Sequence, residues 1–186
     1  MAQWQKVETT RHQVAVAGRV TDRQTGQAIA GVDVSVKNAG QAIMARGRTA
    51  ADGHYHVLDL ADGIYTVEAS LASSGSRYGT AQASATVTRD GAGKINLAAI
   101  DLTLPPTTLK GQVTGQGAGA LVMAEVRLLG GDERVFTDAE GRYVLSGIET
   151  GDRKVAVAAR GFQPARPTVR VGPVGAVVTQ DFTLVN

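Results

Sequence analysis

The chain has 186 residues, 43% of them hydrophobic but only 4% aromatic, with 23 glycines and no cysteine. The lack of cysteine excludes disulfides, thiolate metal centres and a cysteine nucleophile. The net charge of +2 divides evenly, ten Lys/Arg against nine Asp/Glu in residues 1–104 and nine against eight in 105–186, so neither half carries the footprint of a nucleic-acid binder.

The chain opens on "MAQWQKVETTRHQ", a polar arm of residues 1–13 without the apolar core of a secretory signal. Cytoplasmic residence is therefore the expectation, with release in a larger particle as the alternative. No run reaches the roughly 18 apolar residues of a membrane span, so no membrane insertion is expected. Trp4 in the arm is a candidate anchor for a partner, because Trp is favoured at interface hot spots.

From Val14 onward the hydrophobic period is two. In "GVDVSVKN" Val32, Val34 and Val36 share one face, and Asp33, Ser35 and Lys37 the other. Such alternation marks a strand with one buried face. Strands are expected near 13–21, 31–37, 42–49, 54–58, 64–71, 80–88 and 94–104. Pro105 and Pro106 follow, unsuited to a central strand, and residues 105–107 read as a short stiff linker. The pattern then resumes near 108–114, 121–129, 133–137, 142–146, 153–160, 166–171 and 176–185. Here "MAEVRLL" sets Ala124, Val126 and Leu128 inward.

The second half rewrites the first. "TAADGHYHVLDLADGIYTVEA" from Thr49 matches "TDAEGRYVLSGIETGDRKVAV" from Thr137 at an offset of 88, pairing Gly53 with Gly141, Tyr55 with Tyr143 and Gly63 with Gly151. "VAGRVTD" from Val16 matches "LKGQVTG" from Leu109, and "IDLTL" matches "QDFTL". Asp52-Gly53 and Glu140-Gly141 stand where a tight hairpin needs positive φ. The chain is thus read as all-β, two tandem seven-stranded β-sandwiches with antiparallel sheets, at 14–104 and 108–186.

These residues, "V-x-G-x-V-T-D", "G-x-x-V-x-V" and "T-x-x-D-G-x-Y-x-V-x-x-L-x-x-G-x-Y-x-V-x-A", resemble the carboxypeptidase regulatory-like domain. The resemblance implies a transthyretin-like (prealbumin-like, Greek-key) sandwich, related to the B-type repeats of bacterial collagen adhesins. It also implies a non-catalytic accessory, adhesive, spacer or assembly role. The second copy keeps "ARGF", Ala159–Phe162, after its fifth strand. The first copy departs there with the longer "ASLASSGSRYG".

Candidate sites are weighed against this repeat. His54 and His56 share a strand face and could meet one metal, with Asp52 or Asp59 adding a carboxylate. Their counterparts are Arg142 and Val144, so the histidines read as a partner-facing surface, and no metal or other cofactor is expected. The carboxylates fall mostly in turns, and no Ser-His-Asp set forms a nucleophile motif, so no catalytic residue and no enzyme activity are expected. The collagen-adhesin resemblance raises an internal Lys–Asn/Asp cross-link, but Lys110 with Asp181 and Asn186 lacks the assisting acid, and Glu68 of the first copy lacks the lysine, which is Ala17. Arg160, Phe162 and Arg166 complete the set of candidate partner contacts. The functional expectation is a structural or adaptor protein that binds other proteins through sandwich surfaces or edge strands. It would serve in a larger bacterial assembly, for which a phage-like contractile particle is one home. The alternative is a carbohydrate-binding or adhesion module, which would need exposed aromatics; Tyr78 and Phe162 are the candidates.

Overall fold

The computed structural model describes residues 11–186. Most of the N-terminal arm, with Trp4, lies outside the described residues. Strands dominate, with one short 3-10 turn at Ala72–Ser74. Among the described residues no helix is long and apolar enough to cross a membrane.

The first copy contains nine strand segments: β1 (Val14–Asp22), β2 (Asp33–Lys37), β3 (Ile43–Arg48), β4 (His54–Leu58), β5 (Gly63–Ser70), β6 (Ala81–Arg89), β7 (Ile95–Asn96), β8 (Ala98–Ala99) and β9 (Leu102–Leu104). One sheet runs β3-β2-β5-β6-β7, and the other runs β4-β1-β8 with β9 also on β1. The second copy repeats this with β10 (Thr108–Gly115), β11 (Gly119–Ala120), β12 (Glu125–Leu128), β13 (Arg134–Phe136), β14 (Arg142–Ser146), β15 (Gly151–Ala158), β16 (Thr168–Val171), β17 (Val177–Thr179) and β18 (Phe182–Leu184). Its sheets are β13-β12-β15-β16 and a β10-centred sheet of β14, β11, β17 and β18.

Two features depart from the sequence reading. Where it places single strands over 94–104 and 176–185, the structure has short pieces, because the chain leaves the ladder at Ile100-Asp101 and again at Gln180-Asp181. The sheets are also mixed rather than antiparallel throughout. β8 and β9 lie parallel to β1, and β17 and β18 parallel to β10. The returning strand covers a flank of the first strand that would otherwise be an open edge.

The interruptions explain the repeated glycine and tyrosine. A Cβ on Gly18 would lie 1.7 Å from the Ile100 carbonyl oxygen, and one on Gly111 would lie 1.8 Å from that of Gln180. Only glycine admits this approach of backbone to backbone. The same two carbonyls accept hydrogen bonds from the Tyr55 and Tyr143 hydroxyls, each at 2.7 Å. The aspartate that follows accepts from the residue after each glycine: Arg19 N to Asp101 at 2.7 Å, and Gln112 N to Asp181 at 2.8 Å. Burial raises the Tyr55 hydroxyl to about 12, and it raises Tyr143 further. Each unit thus pins its last strand to its first by one three-residue device.

The alternating residues pack as the period requires. Val32, Val34 and Val36 are buried, as are Ala124, Val126 and Leu128. The first core joins them with Val16, Val20, Tyr55, Val67, Val87 and Leu104; the second with Leu109, Val113, Tyr143, Val155, Ile148 and Leu184. A buried threonine closes each: Thr49 accepts from Val32 N and donates to Ile29 O, and Thr137 accepts from Ala124 N and donates to Leu121 O.

Candidate functional site at the junction of the two sandwiches

The segment in which the two copies differ most, "ASLASSGSRYG", leaves β5 and reaches the second sandwich. The Ser76 amide donates to the Glu149 carboxylate at 3.0 Å, and the Ser76 hydroxyl donates to the same oxygen. The Thr150 amide donates to that hydroxyl at 2.9 Å. Arg77 reaches further: Nη1 is 2.7 Å from both Glu133 Oε1 and the Gly147 carbonyl, and Nε is 3.3 Å from Glu149 Oε1. The two hydrogen bonds from Ser76, with Arg77 beside them, hold Glu149 below the usual glutamate range. The Arg77 guanidinium does the same for Glu133.

The prolines are held in this junction rather than strung across it. Pro106 and Thr107 are buried. The Gly79 amide donates to Pro105 O at 2.9 Å, and the Thr107 amide to Arg77 O at 2.8 Å. The Thr107 hydroxyl donates to Ser76 O and accepts from Gly175 N, at 2.8 and 2.7 Å. Gly79 and Gly175 meet backbone to backbone: a Cβ on Gly175 would stand 2.9 Å from the Gly79 Cα. Tyr78 turns back into its own sandwich and donates to Asp22 at 3.0 Å, while the other Asp22 oxygen caps the amides of Gln24 and Thr25. Burial, with Asp22 adding to it, raises the Tyr78 hydroxyl to about 12. No buried side-chain nitrogen or oxygen among the described residues lacks a partner.

A cleft of about 370 Å³ opens beside this junction. Pro105, Pro106, Val144, Gly175 and Val177 form its apolar wall, and Arg23 and Lys110 bring one cation from each sandwich.

The residues singled out from sequence lie elsewhere. His54 and His56 are exposed on β4, the edge of its sheet, and His54 Nδ1 lies 3.1 Å from Asp52. His12 pairs with Asp59. Among the described residues no three His, Asp or Glu gather in a way that could hold a metal ion. Arg160 and Arg166 are exposed in the loop after β15, whereas the Phe162 ring is half-buried, packed over Gly115 and the second core. Tyr78 and Phe162 thus occupy like places, one following β5 and closing over the end of β1, the other following β15 and closing over the end of β10. Phe136, on edge strand β13, is instead the exposed aromatic of the described residues. Sequence reasoning missed Ser76, Arg77, Glu133 and Glu149. The one trace is that the offset between the copies falls from 88 at Tyr55/Tyr143 to 80 at Asp101/Asp181, so the first copy is longer in between.

The fold and junction define a tandem β-sandwich protein whose duplicated glycine, tyrosine and aspartate positions hold the frame. Residues 15–100 and 108–185 each match the carboxypeptidase regulatory-like domain, and the chain belongs to that family. No curated protein sequence matches it. Among solved structures it is similar to the TIE protein of Bacillus anthracis, at 16% identity and TM-score 0.43, covering 93% of this chain and 34% of that one. It is also similar to a streptococcal ancillary pilin, at 16% identity and TM-score 0.40, covering 94% and 63%. A third is the shaft pilin SpaA of Lactobacillus rhamnosus GG, at 11% identity and TM-score 0.41, covering 95% and 98%. The chain therefore spans about a third of the first of these proteins and under two thirds of the second.

Proposed function

We propose that this chain is a non-catalytic structural or adaptor protein that binds other proteins as a rigid two-sandwich unit. The observation that carries the reading is the junction. Domains joined by a short polar contact ordinarily move against each other. Here a loop of the first sandwich is bonded through Ser76 and Arg77 to two loops of the second, at Glu133 and at Gly147–Thr150, and the connecting Pro106 and Thr107 are buried. Directional bonds of this kind fix an angle, and a fixed angle matters to a spacer or an assembly subunit.

Membership of a larger bacterial assembly is the finer form of the reading. Unpaired edges such as β3, with Ile43 and Met44 exposed, offer places where a partner strand could add. The carbohydrate alternative has less support, because Tyr78 is tied to Asp22 and Phe162 is packed on Gly115, which leaves Phe136 as the exposed aromatic among the described residues. The test is affinity capture from the native host followed by size measurement. The reading expects a stoichiometric protein complex; a chain that stays monomeric and captures no partner, or that selects glycans on an array instead, contradicts it.

A further inference from the structure

The outer face of the β10-centred sheet joins the junction cleft. A second depression, of about 300 Å³, shares Lys110 and Val144 with the cleft and adds Gln112, Arg142, Thr179 and Asp181. Together they make one groove running from the connector across β10 and β14. Along it stand Arg23, Lys110 and Arg142, all exposed, and none forms an ion pair among the described residues. Among the described residues that line the groove the one carboxylate, Asp181, sits at its far end and already accepts from the Gln112 amide. Val144 and Val177, both exposed, give the groove an apolar side.

The duplication supplies an internal control. The first copy forms the same strand pairs, with Ala17 opposite His56 where the second has Lys110 opposite Val144. His54 stands where Arg142 does. The frame therefore folds without a cation at the Lys110 and Arg142 positions, where the first copy has Ala17 and His54 and sets a single cation, Arg19, in the place of Gln112.

We infer that this groove binds an extended acidic peptide segment of a partner protein, with carboxylates on alternate residues and apolar side chains between them. Lys110 faces Val144 while Arg142 faces Gln112 two residues along β10. Charges on neighbouring rows of adjacent strands stand about 7 Å apart, and alternate side chains of an extended peptide repeat at about the same spacing. Three cations without an aromatic platform suit such a peptide better than a nucleic-acid strand, which needs stacking surfaces and a longer basic track. Arg23 comes from the first sandwich, so the site is complete only when the junction is docked. The inference rests on the protein-binding reading above and names the chemistry of the partner.

The test uses the whole chain and a fluorescein-labelled octapeptide of alternating valine and glutamate. Anisotropy titration should show saturable binding, weakened by salt and absent for the valine–lysine counterpart. The variant carrying Arg23→Ala, Lys110→Ala and Arg142→His should lose about ten-fold or more in affinity, since each removed charge contact is worth a fraction of that factor. Two of these changes install residues that the first copy already tolerates, and an unchanged urea midpoint shows that the fold persists. Arg77→Ala, which keeps all three cations but loosens their alignment, should weaken binding by a smaller factor. Equal binding by wild type and triple variant, no preference for the acidic peptide, or tighter binding of an eight-nucleotide oligothymidine overturns the inference. Affinity capture of a partner that survives the triple substitution would overturn this site while leaving the protein-binding reading intact.

Discussion

Ser76 and Glu149 are 73 residues apart in the chain, yet the Ser76 amide donates to the Glu149 carboxylate at 3.0 Å and so ties one sandwich to the other. Beside it Arg77 reaches Glu133, Gly147 and Glu149. The residues that couple the two copies come from the segment in which the copies are least alike. Repetition built the frame, and a departure from repetition built the joint.

Removing Arg77 should uncouple the sandwiches. With Arg77→Ala, Glu133 and Glu149 lose their ion-pair partner, and a single urea transition should split into two, one for each sandwich. The side chain is partly exposed, so the coupling between Arg77 and Glu133 in a double-mutant cycle should be modest, about 1 kcal/mol. Fluorescence and circular dichroism followed in parallel would check both outcomes.

Docking should weaken in acid. Both junction glutamates are held below their ordinary value of 4.5, so docking favours their charged forms. That contribution is fully present above pH 4.5 and is lost as pH falls through the lower docked values. Small-angle scattering should report a docked pair at neutral pH and a broader ensemble in acid. An Arg77→Ala, Ser76→Ala variant should be broad throughout.

Gly111→Ala should be among the most damaging single changes in the chain. The added Cβ would meet the Gln180 carbonyl, which is backbone and cannot swing aside. Overpacking typically costs about 1–3 kcal/mol, and a clash with fixed backbone belongs at the upper end of that range. Gly18→Ala should do the same to the first sandwich. Thermal unfolding of the two variants would show different halves of the molecule failing.

Tyr143→Phe and Tyr55→Phe keep the ring and remove the hydroxyl that holds the interrupted last strand. Each should cost about 1–2 kcal/mol, the value of a part-buried hydrogen bond whose acceptor is left short of a partner. Denaturant midpoints would measure it, with Tyr65→Phe, whose hydroxyl bonds only the nearby Ala61 carbonyl, as the comparison.

His54→Ala with His56→Ala should leave stability within about 0.5 kcal/mol, because both rings are exposed and the Asp52 contact is solvated. A larger loss on thermal unfolding would show a structural role that the exposed strand does not suggest.

The strands were legible because period two survives in short Val-rich runs. Val32, Val34 and Val36 needed nothing beyond their spacing. Gly18, Tyr55 and their copies were legible as repeated residues, but their purpose was not. It depends on where the final strand breaks, at Ile100 and Gln180, and alternation carries no mark of that break. The parallel return of β9 and β18 was hidden for the same reason. The junction was the least legible part. Its bonds link a loop to loops, without periodicity, and the partners of Ser76 and Arg77 lie in a domain whose own copy of that loop does something else. Exposed charges such as Arg23, Lys110 and Arg142 likewise look ordinary until the fold places them along one groove.

The central claim is that the two sandwiches form one rigid unit, and the cysteine-free chain allows a direct measurement. Spin labels at Ser84→Cys and Thr168→Cys, exposed positions on different sandwiches, would report their separation by double electron–electron resonance. The account predicts one narrow distance distribution in the wild-type background and a broad one when Arg77→Ala and Ser76→Ala are added. A broad distribution in the wild-type background, or one that the two substitutions leave unchanged, would contradict it.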